Sequence, residues 1–286
     1  MLAVLFNEWD KIRETEWVFR ADLLAASLFG AVLLFFLDAY GWHLILKALG
    51  NDLPAARTMQ VWLVSSLARY IPGGVWSYAS RVALAKAEGI SVAAASVSLY
   101  LETLLLLTSS LAIGLLAVLW GIGFPVHPLL AGVLWIGLGL LLHPRVLLWL
   151  KKLPGRAGLE MQTIVFPDLR RTLTVYFYYL FFWVLFGFVF VGFVAAAYPI
   201  VLEHWVPVGA SVALGFFAGF VIFFVPGGIG VRESVLYLLL LPFMPASVSL
   251  IVSVASRLWL MAAEGISIVA ILLYGRITAG AGGVAR

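Results

Sequence analysis

The sequence predicts an all-α integral membrane protein, a polytopic helical bundle with two inverted repeats of helix, re-entrant hairpin and helix. Composition is the first observation behind this: 64% of the 286 residues are hydrophobic and 11% charged, with a mean hydropathy of +1.09. Soluble domains run near 45–50% apolar and about 25% charged. Second, apolar runs such as 23–37, 93–119 and 175–197 reach or approach the roughly 20 residues that cross about 30 Å of hydrocarbon. Third, two apolar stretches are each broken in the middle by Pro-Gly-Gly, at Pro72-Gly73-Gly74 and Pro226-Gly227-Gly228. A β-barrel would alternate in and out over segments of about 10 residues. These runs are apolar on all sides, which excludes it.

Taken in order, the chain opens with Met1 to Phe6, which lacks the basic flank and cleavage site of a signal peptide. Glu8 to Leu24 sets Trp9, Ile12, Trp17 and Phe19 among charges, the pattern of a helix lying on the membrane surface. The first spanning helix is read over 22–49, the second over 91–119, a linking third over 129–150, the fourth over 172–198 and the last over 246–274. Proline removes a backbone donor and glycine tolerates left-handed angles, so each Pro-Gly-Gly ends one half-helix and begins another. The first hairpin occupies 58–87, with arms of about 20 Å at the helical rise, too short to cross. The second occupies 208–242. Broken backbone inside a membrane is tolerated where it is buried in protein or faces a water-filled cavity.

The two hairpins also match in spacing. Pro72 lies 18 residues before Ile90-Ser91-Val92-Ala93, and Pro226 lies 18 before Met244-Pro245-Ala246-Ser247. A shift of 154 superposes both, giving repeat 1 over 22–119 and repeat 2 over 172–274. Three crossings separate the starts of the two units, so the second is inverted, the plan of transporters that expose one site alternately to each side. Lys47, Arg57, Lys86, Arg145, Lys151, Lys152, Arg156, Arg170, Arg171, Arg276 and Arg286 fall on one side, with Lys11, Arg13 and Arg20 on the other. Positive residues stay inside. The N-terminus is therefore predicted outside, the C-terminus and the basic loop 151–171 cytoplasmic, in the cell (inner) membrane. The net charge of +4 is this asymmetry, not a nucleic-acid footprint.

No cysteine is present, and the histidines at 43, 127, 143 and 204 have no ligand spacing, so neither a metal nor another cofactor is expected. The informative charges are within the membrane: Arg69, Arg81, Arg232 and Arg257, with Asp38, Glu102, Glu233 and Glu264. A charge there costs on the order of 3 kcal/mol even on insertion scales, so these side chains face a cavity or one another. Arg257 with Glu102, one position apart when the repeats are superposed, is one candidate pair. The amides near Val75 and Ile229 open half-helices at the positive end of a dipole, a geometry that binds phosphate. Arginine adds bidentate, charge-assisted bonds. An anionic headgroup is the expected guest. Gly215 and Gly219 form a GxxxG read as helix packing.

Ser66-Leu67-Ala68-Arg69-Tyr70-Ile71-Pro72-Gly73-Gly74-Val75-Trp76 with Arg81, and Pro226-Gly227-Gly228-Ile229-Gly230-Val231-Arg232-Glu233 with Arg257, resemble the membrane region of lysylphosphatidylglycerol synthetases and their stand-alone flippase-like relatives. The resemblance covers nearly the whole chain. It implies a domain that moves aminoacylated phospholipid, or works with polyprenyl-phosphate glycolipids, and puts Arg81, Glu102, Arg232, Glu233 and Arg257 on recurrent polar positions. Many relatives begin with a further spanning helix before the position of Glu8, and no aminoacyl-transferase domain follows Arg286. The expected function is a lipid flippase or scramblase moving a phospholipid or lipid-phosphate headgroup between the hairpins. Arg69, Arg81, Glu102, Arg232, Glu233 and Arg257 are the candidate headgroup site. No catalytic motif is visible. The alternatives are a membrane enzyme on a lipid-phosphate, or an accessory subunit to a separate synthetase or glycosyltransferase; a homo-oligomer fits any of these.

Overall fold

Helix is the conformation in which a single apolar segment satisfies its own backbone in hydrocarbon, and the described apolar segments adopt it. A computed structural model describes residues 13, 17–71, 75–119, 128–143, 145–146, 162, 164–221 and 230–283, and among these all regular structure is helical. In chain order the helices are α1 (Ala21–Ala48), α2 (Ala55–Ser66, continued by a 3₁₀ turn Leu67–Tyr70), α3 (Trp76–Ala87), α4 (Val92–Leu119), α5 (Pro128–Leu141), α6 (Leu169–Ala195), α7 (Trp205–Val221), α8 (Val231–Leu240) and α9 (Ala246–Gly283). Both Pro-Gly-Gly triplets, 72–74 and 226–228, and most of the basic segment 151–171 lie outside the described residues.

Five described stretches are long and apolar enough to cross a membrane: Ala21–Ala48, Val92–Leu116, Leu169–Ala195, Leu202–Val221 and Ala246–Ile277. Four of them are the crossings read from hydropathy. The expected linking helix over 129–150 is not one continuous helix, because α5 closes at Leu141 and Leu142–His143 form a turn. Pro144 follows, and a residue before proline is steered out of the α region. In its place α7, with the turn before it, is crossing-length, although it was expected as a hairpin arm; Pro207 sits near its start, where a missing amide costs no helix bond. The expected surface helix over 8–24 is also interrupted. Residues 17–20 are not helical, and the Val18 and Arg20 amides donate to the carbonyls of Ala197 and Ala196 at 3.3 and 2.9 Å. They satisfy acceptors left open at the end of α6.

Packing follows the small residues. α1 and α6 run antiparallel: Ser27 faces Gly192, Gly30 faces Val189, and Gly41 faces Tyr179. The Tyr178 hydroxyl donates to the Leu37 carbonyl at 2.6 Å across the same interface. α4 packs on α6 and α7, while α9 packs on α1 and α2. Exchanging α1 with α6, α2 with α7 and α4 with α9 turns each of these contacts into another. Adding 154 carries the start of α4, Val92, onto the start of α9, Ala246, and carries Trp76 at the start of α3 to Gly230, one residue before α8.

Gly187 of α6 and Gly209 of α7 meet backbone to backbone; a Cβ on Gly187 would lie 3.2 Å from the Gly209 carbonyl carbon and oxygen. Gly187→Leu is expected to destabilise the protein by about 1–3 kcal/mol through overpacking, read as a lowered thermal midpoint in detergent. Beside this contact an apolar cavity of about 230 Å³ is lined by residues such as Ile113, Leu116, Trp183, Phe188 and Trp205. None of the membrane arginines lines it. The expected packing of Gly215 and Gly219 is also met: they face α8 at Arg232 and Leu236, with Arg232 Cβ 3.0 Å from where a Cβ on Gly219 would sit.

Candidate functional site

The membrane charges assemble as ion pairs, one buried pair within each half of the fold and one contact between the halves. Arg81 of α3 donates from Nη1 to Glu102 of α4 at 2.5 Å and from Nε to Ser65 Oγ at 3.1 Å. The other oxygen of Glu102 accepts from Trp62 Nε1 at 2.6 Å. The Arg81 guanidinium lies over the rings of Trp62 and Trp42, 4.8 and 5.5 Å from their centroids. With side chains 7% and 5% exposed, this pair is desolvated, the setting in which Coulomb attraction, ring quadrupoles and fully used donors matter most. Glu102 stands ten residues into α4, about 15 Å along its axis and so near half the depth of a bilayer core.

In the other half the charges change places. Glu233 stands on the short helix α8, and Arg257 stands on the long helix α9 and donates to it at 2.7 Å. The second oxygen of Glu233 accepts from the Gly230 amide at 2.7 Å, capping α8. Gly230 has φ +85, a left-handed angle that suits glycine and lets the chain turn into the helix. Arg257 is 32% exposed, so it keeps donors for a second acceptor. The pair expected from superposition, Arg257 with Glu102, is not formed. Each acid is taken by the arginine on the helix packed against its own, because a short arm and the long helix after it meet side by side in both halves.

A third contact joins the halves. Arg69 Nε, in the turn after α2, donates to the Ser66 carbonyl at 3.2 Å and lies 3.4 Å from Glu264 Oε1 of α9. The Tyr70 hydroxyl donates to Glu264 Oε2 at 2.6 Å. Arg69 also reaches within 5.9 Å of the Trp62 ring centroid, so Trp62 lies between the Arg69 and Arg81 groups.

Two charged groups are left without a match. Among the described residues, Arg232 Nη2 on α8 is buried and has no hydrogen-bond partner, and neither does Asp38 Oδ1 on α1. Arg232 is within electrostatic reach of Glu233, Arg257 and Arg69; Asp38 is within reach of Glu102, Arg81 and Arg69. Glu233 is already held by Arg257 and Gly230, which leaves Arg232 Nη2 without an acceptor among the described residues. A buried cation in that condition is stabilised by whatever anion enters.

Of the expected site residues, the structure joins Arg81 to Glu102 and Arg257 to Glu233, sets Arg232 within electrostatic reach of the second pair and of Arg69, and pairs Arg69 with Glu264. The hairpin tips Pro72, Gly73, Gly74, Pro226, Gly227 and Gly228 are outside the described residues. Reading the sequence missed Trp62, Trp42, Ser65 and Tyr70 as partners of the charges. Trp62 was detectable: an indole on an amphipathic arm, seven residues before Arg69 and away from either end of a crossing, is out of place for an interfacial tryptophan.

A family model described as the lysylphosphatidylglycerol synthase TM region matches residues 1–263. No curated protein matches the chain.

Proposed function

The chain belongs to the family of lysylphosphatidylglycerol synthase transmembrane regions, and from that premise we propose that it translocates a phosphate-bearing lipid headgroup between the leaflets of the membrane. The acyl chains stay in the bilayer while the headgroup passes between two hairpins. The observation that carries this reading is Arg232 Nη2, buried and without a hydrogen-bond partner among the described residues, with Arg257 and Arg69 within electrostatic reach. Three arginines against Glu233 and Glu264 leave one positive charge uncompensated, which suits a phosphate monoanion. Arg69, Arg81, Glu102, Arg232, Glu233 and Arg257 are the proposed headgroup site, in which Glu102 and Glu233 orient Arg81 and Arg257.

An inverted repeat with re-entrant hairpins is the architecture proposed for this movement. It is supported by the antiparallel α1 and α6, by the exchange of contacts between the halves, and by the lengths of α3 and α8. Those helices have 12 and 10 residues, about 18 and 15 Å, short of the roughly 30 Å core. Leaflet exchange by purified protein in proteoliposomes, measured beside product formation from the same lipid, separates a translocator from a lipid-phosphate enzyme. Exchange without a chemical product is the expected result.

The proposed orientation places the ends of α1 near Lys47 and of α6 near Arg171 in the cytoplasm and Phe19 outside, by the positive-inside rule. Since the chain contains no cysteine, single cysteines at these positions report it directly. Cysteines at 47 and 171 should resist an impermeant maleimide added to intact cells, and one at 19 should react; the opposite pattern reverses the orientation.

A further inference from the structure

Asp38 is the second group left over, and nothing in the headgroup site uses it. It stands on α1, half-buried as a residue, with Oδ1 fully buried and unpartnered. The described ionisable groups around it are few. Glu102 from α4, Arg81 from α3 and Arg69 from the turn after α2 act on it, and Tyr178 and Tyr179 of α6 face it. The Tyr178 hydroxyl is spent on the Leu37 carbonyl. The Tyr179 hydroxyl sits against Gly41, one turn along α1 from Asp38, and has no partner. Of the other helices packed on α1, α2 brings only Arg57, bonded to Gln60, and α9 brings Arg257 and Glu264, held by Glu233 and by Tyr70 with Arg69. On α1 itself, His43 lies 3.4 Å from Thr58 Oγ1.

Two carboxyl groups therefore look to guanidiniums that are already committed, Arg69 to Glu264 and Arg81 to its own neighbours. Arg81 gives Nη1 to Glu102 and Nε to Ser65. Arg81 is taken by Glu102 and Arg69 by Glu264, which leaves Asp38 no cation of its own, and like charges sharing a low-dielectric site do not both ionise readily. The simplest occupant of the remaining acid is a proton. Arg69 links this place to the anion site, since it acts on both Asp38 and Arg232. A headgroup anion beside Arg232 and Arg69 withdraws compensation from an ionised Asp38, so anion and proton favour one another's binding, and the favour is reciprocal.

Resting on the translocation reading, we propose that Asp38 binds a proton that travels with the lipid, making this an electroneutral symporter of one proton with one anionic headgroup. The sign follows from the balance: protons run from the acidic to the alkaline side, and the anionic lipid accumulates in the leaflet facing the alkaline side. At one proton per lipid, a gradient of one pH unit holds about a tenfold leaflet asymmetry. A membrane potential alone holds none. Reversed orientation of some molecules in a vesicle does not change this equilibrium.

The test uses the full chain in phosphatidylcholine vesicles with a trace of fluorescently labelled phosphatidylglycerol, whose leaflet distribution is read by dithionite quenching. With a one-unit gradient the wild type should reach about a tenfold asymmetry toward the alkaline side, abolished by a protonophore and insensitive to a potassium-valinomycin potential. Asp38→Asn should leave the lipid evenly distributed, and Asp38→Glu should restore the asymmetry. Rapid wild-type exchange that stays even in the gradient overturns the proton coupling and leaves translocation standing, as does an Asp38→Asn distribution equal to wild type. Absence of any exchange in the wild type overturns both. If Asp38→Asn alone fails to exchange, difference infrared spectroscopy decides: a carboxylic-acid C=O band in the wild type that disappears in the variant supports the assignment, and an unchanged band overturns it.

Discussion

Replacing Arg232 with methionine is expected to cut leaflet exchange by about tenfold to a hundredfold, since hydrogen bonds to a charged partner are worth about 1.5–3 kcal/mol, and to leave the protein at least as stable as before. The two halves of that expectation come from one observation. Arg232 Nη2 is buried and bonds to none of the described residues, so removing it forfeits no hydrogen bond seen at that atom and relieves the desolvation of a cation. Its stem does pack, with Cβ against Gly219, and methionine keeps most of that volume, which alanine would not. Arg232→Lys keeps the charge but not the planar fork and should fall between. A thermal midpoint that collapses together with exchange would make Arg232 a structural residue.

Glu102→Ala is expected to do the reverse and destabilise the fold by about 3–5 kcal/mol, the cost of removing one partner from a buried ion pair. Two groups lose their acceptor at once, Arg81 Nη1 and Trp62 Nε1, and the Arg81 guanidinium, over the Trp62 and Trp42 rings, keeps its charge without a counterion. The double variant Arg81→Met with Glu102→Leu should recover most of the loss in thermal midpoint, because an apolar pair of similar size carries no uncompensated charge. If the single variant is as stable as the wild type, the pair is not buried as described. Arg81 and Arg232 thus separate two uses of the same side chain, one closed by its neighbours and one left open.

Much of the fold was legible because hydrocarbon is an unforgiving solvent. α1, α4 and α9 begin within one residue of their expected starts, whereas α6 begins three residues early at Leu169, where Asp168 caps it, and α9 runs to Gly283 beyond the expected end at 274. What hydropathy could not weigh was local backbone chemistry. A run that is apolar on average through 129–150 is still cut at Leu142 and His143, where Pro144 follows, while the stretch from Leu202 to Val221 keeps its helix to crossing length.

Within the site, residue types could be named but not their partners. Expense alone identifies a membrane arginine as important, yet pairing depends on which helices lie side by side. Superposing the repeats suggested Glu102 with Arg257, one position apart in equivalent places; the structure uses that equivalence differently, giving each a partner of opposite sign on its own short arm. Trp62 and Tyr70 escaped notice because an indole and a phenol in an apolar helix read as packing until a carboxylate is seen within hydrogen-bond distance. Arg232 and Asp38 could be recognised as the unmatched groups only after every other membrane charge had been assigned.

Movement of lipid between leaflets by this chain alone, as proposed, is measured directly as dithionite-resolved exchange of labelled phosphatidylglycerol in vesicles containing purified wild-type protein, against protein-free vesicles of the same composition. The expected result is exchange whose amplitude rises with the fraction of vesicles holding a copy and which Arg232→Met largely removes. Exchange no faster than in protein-free vesicles, with the protein folded and inserted, would contradict it.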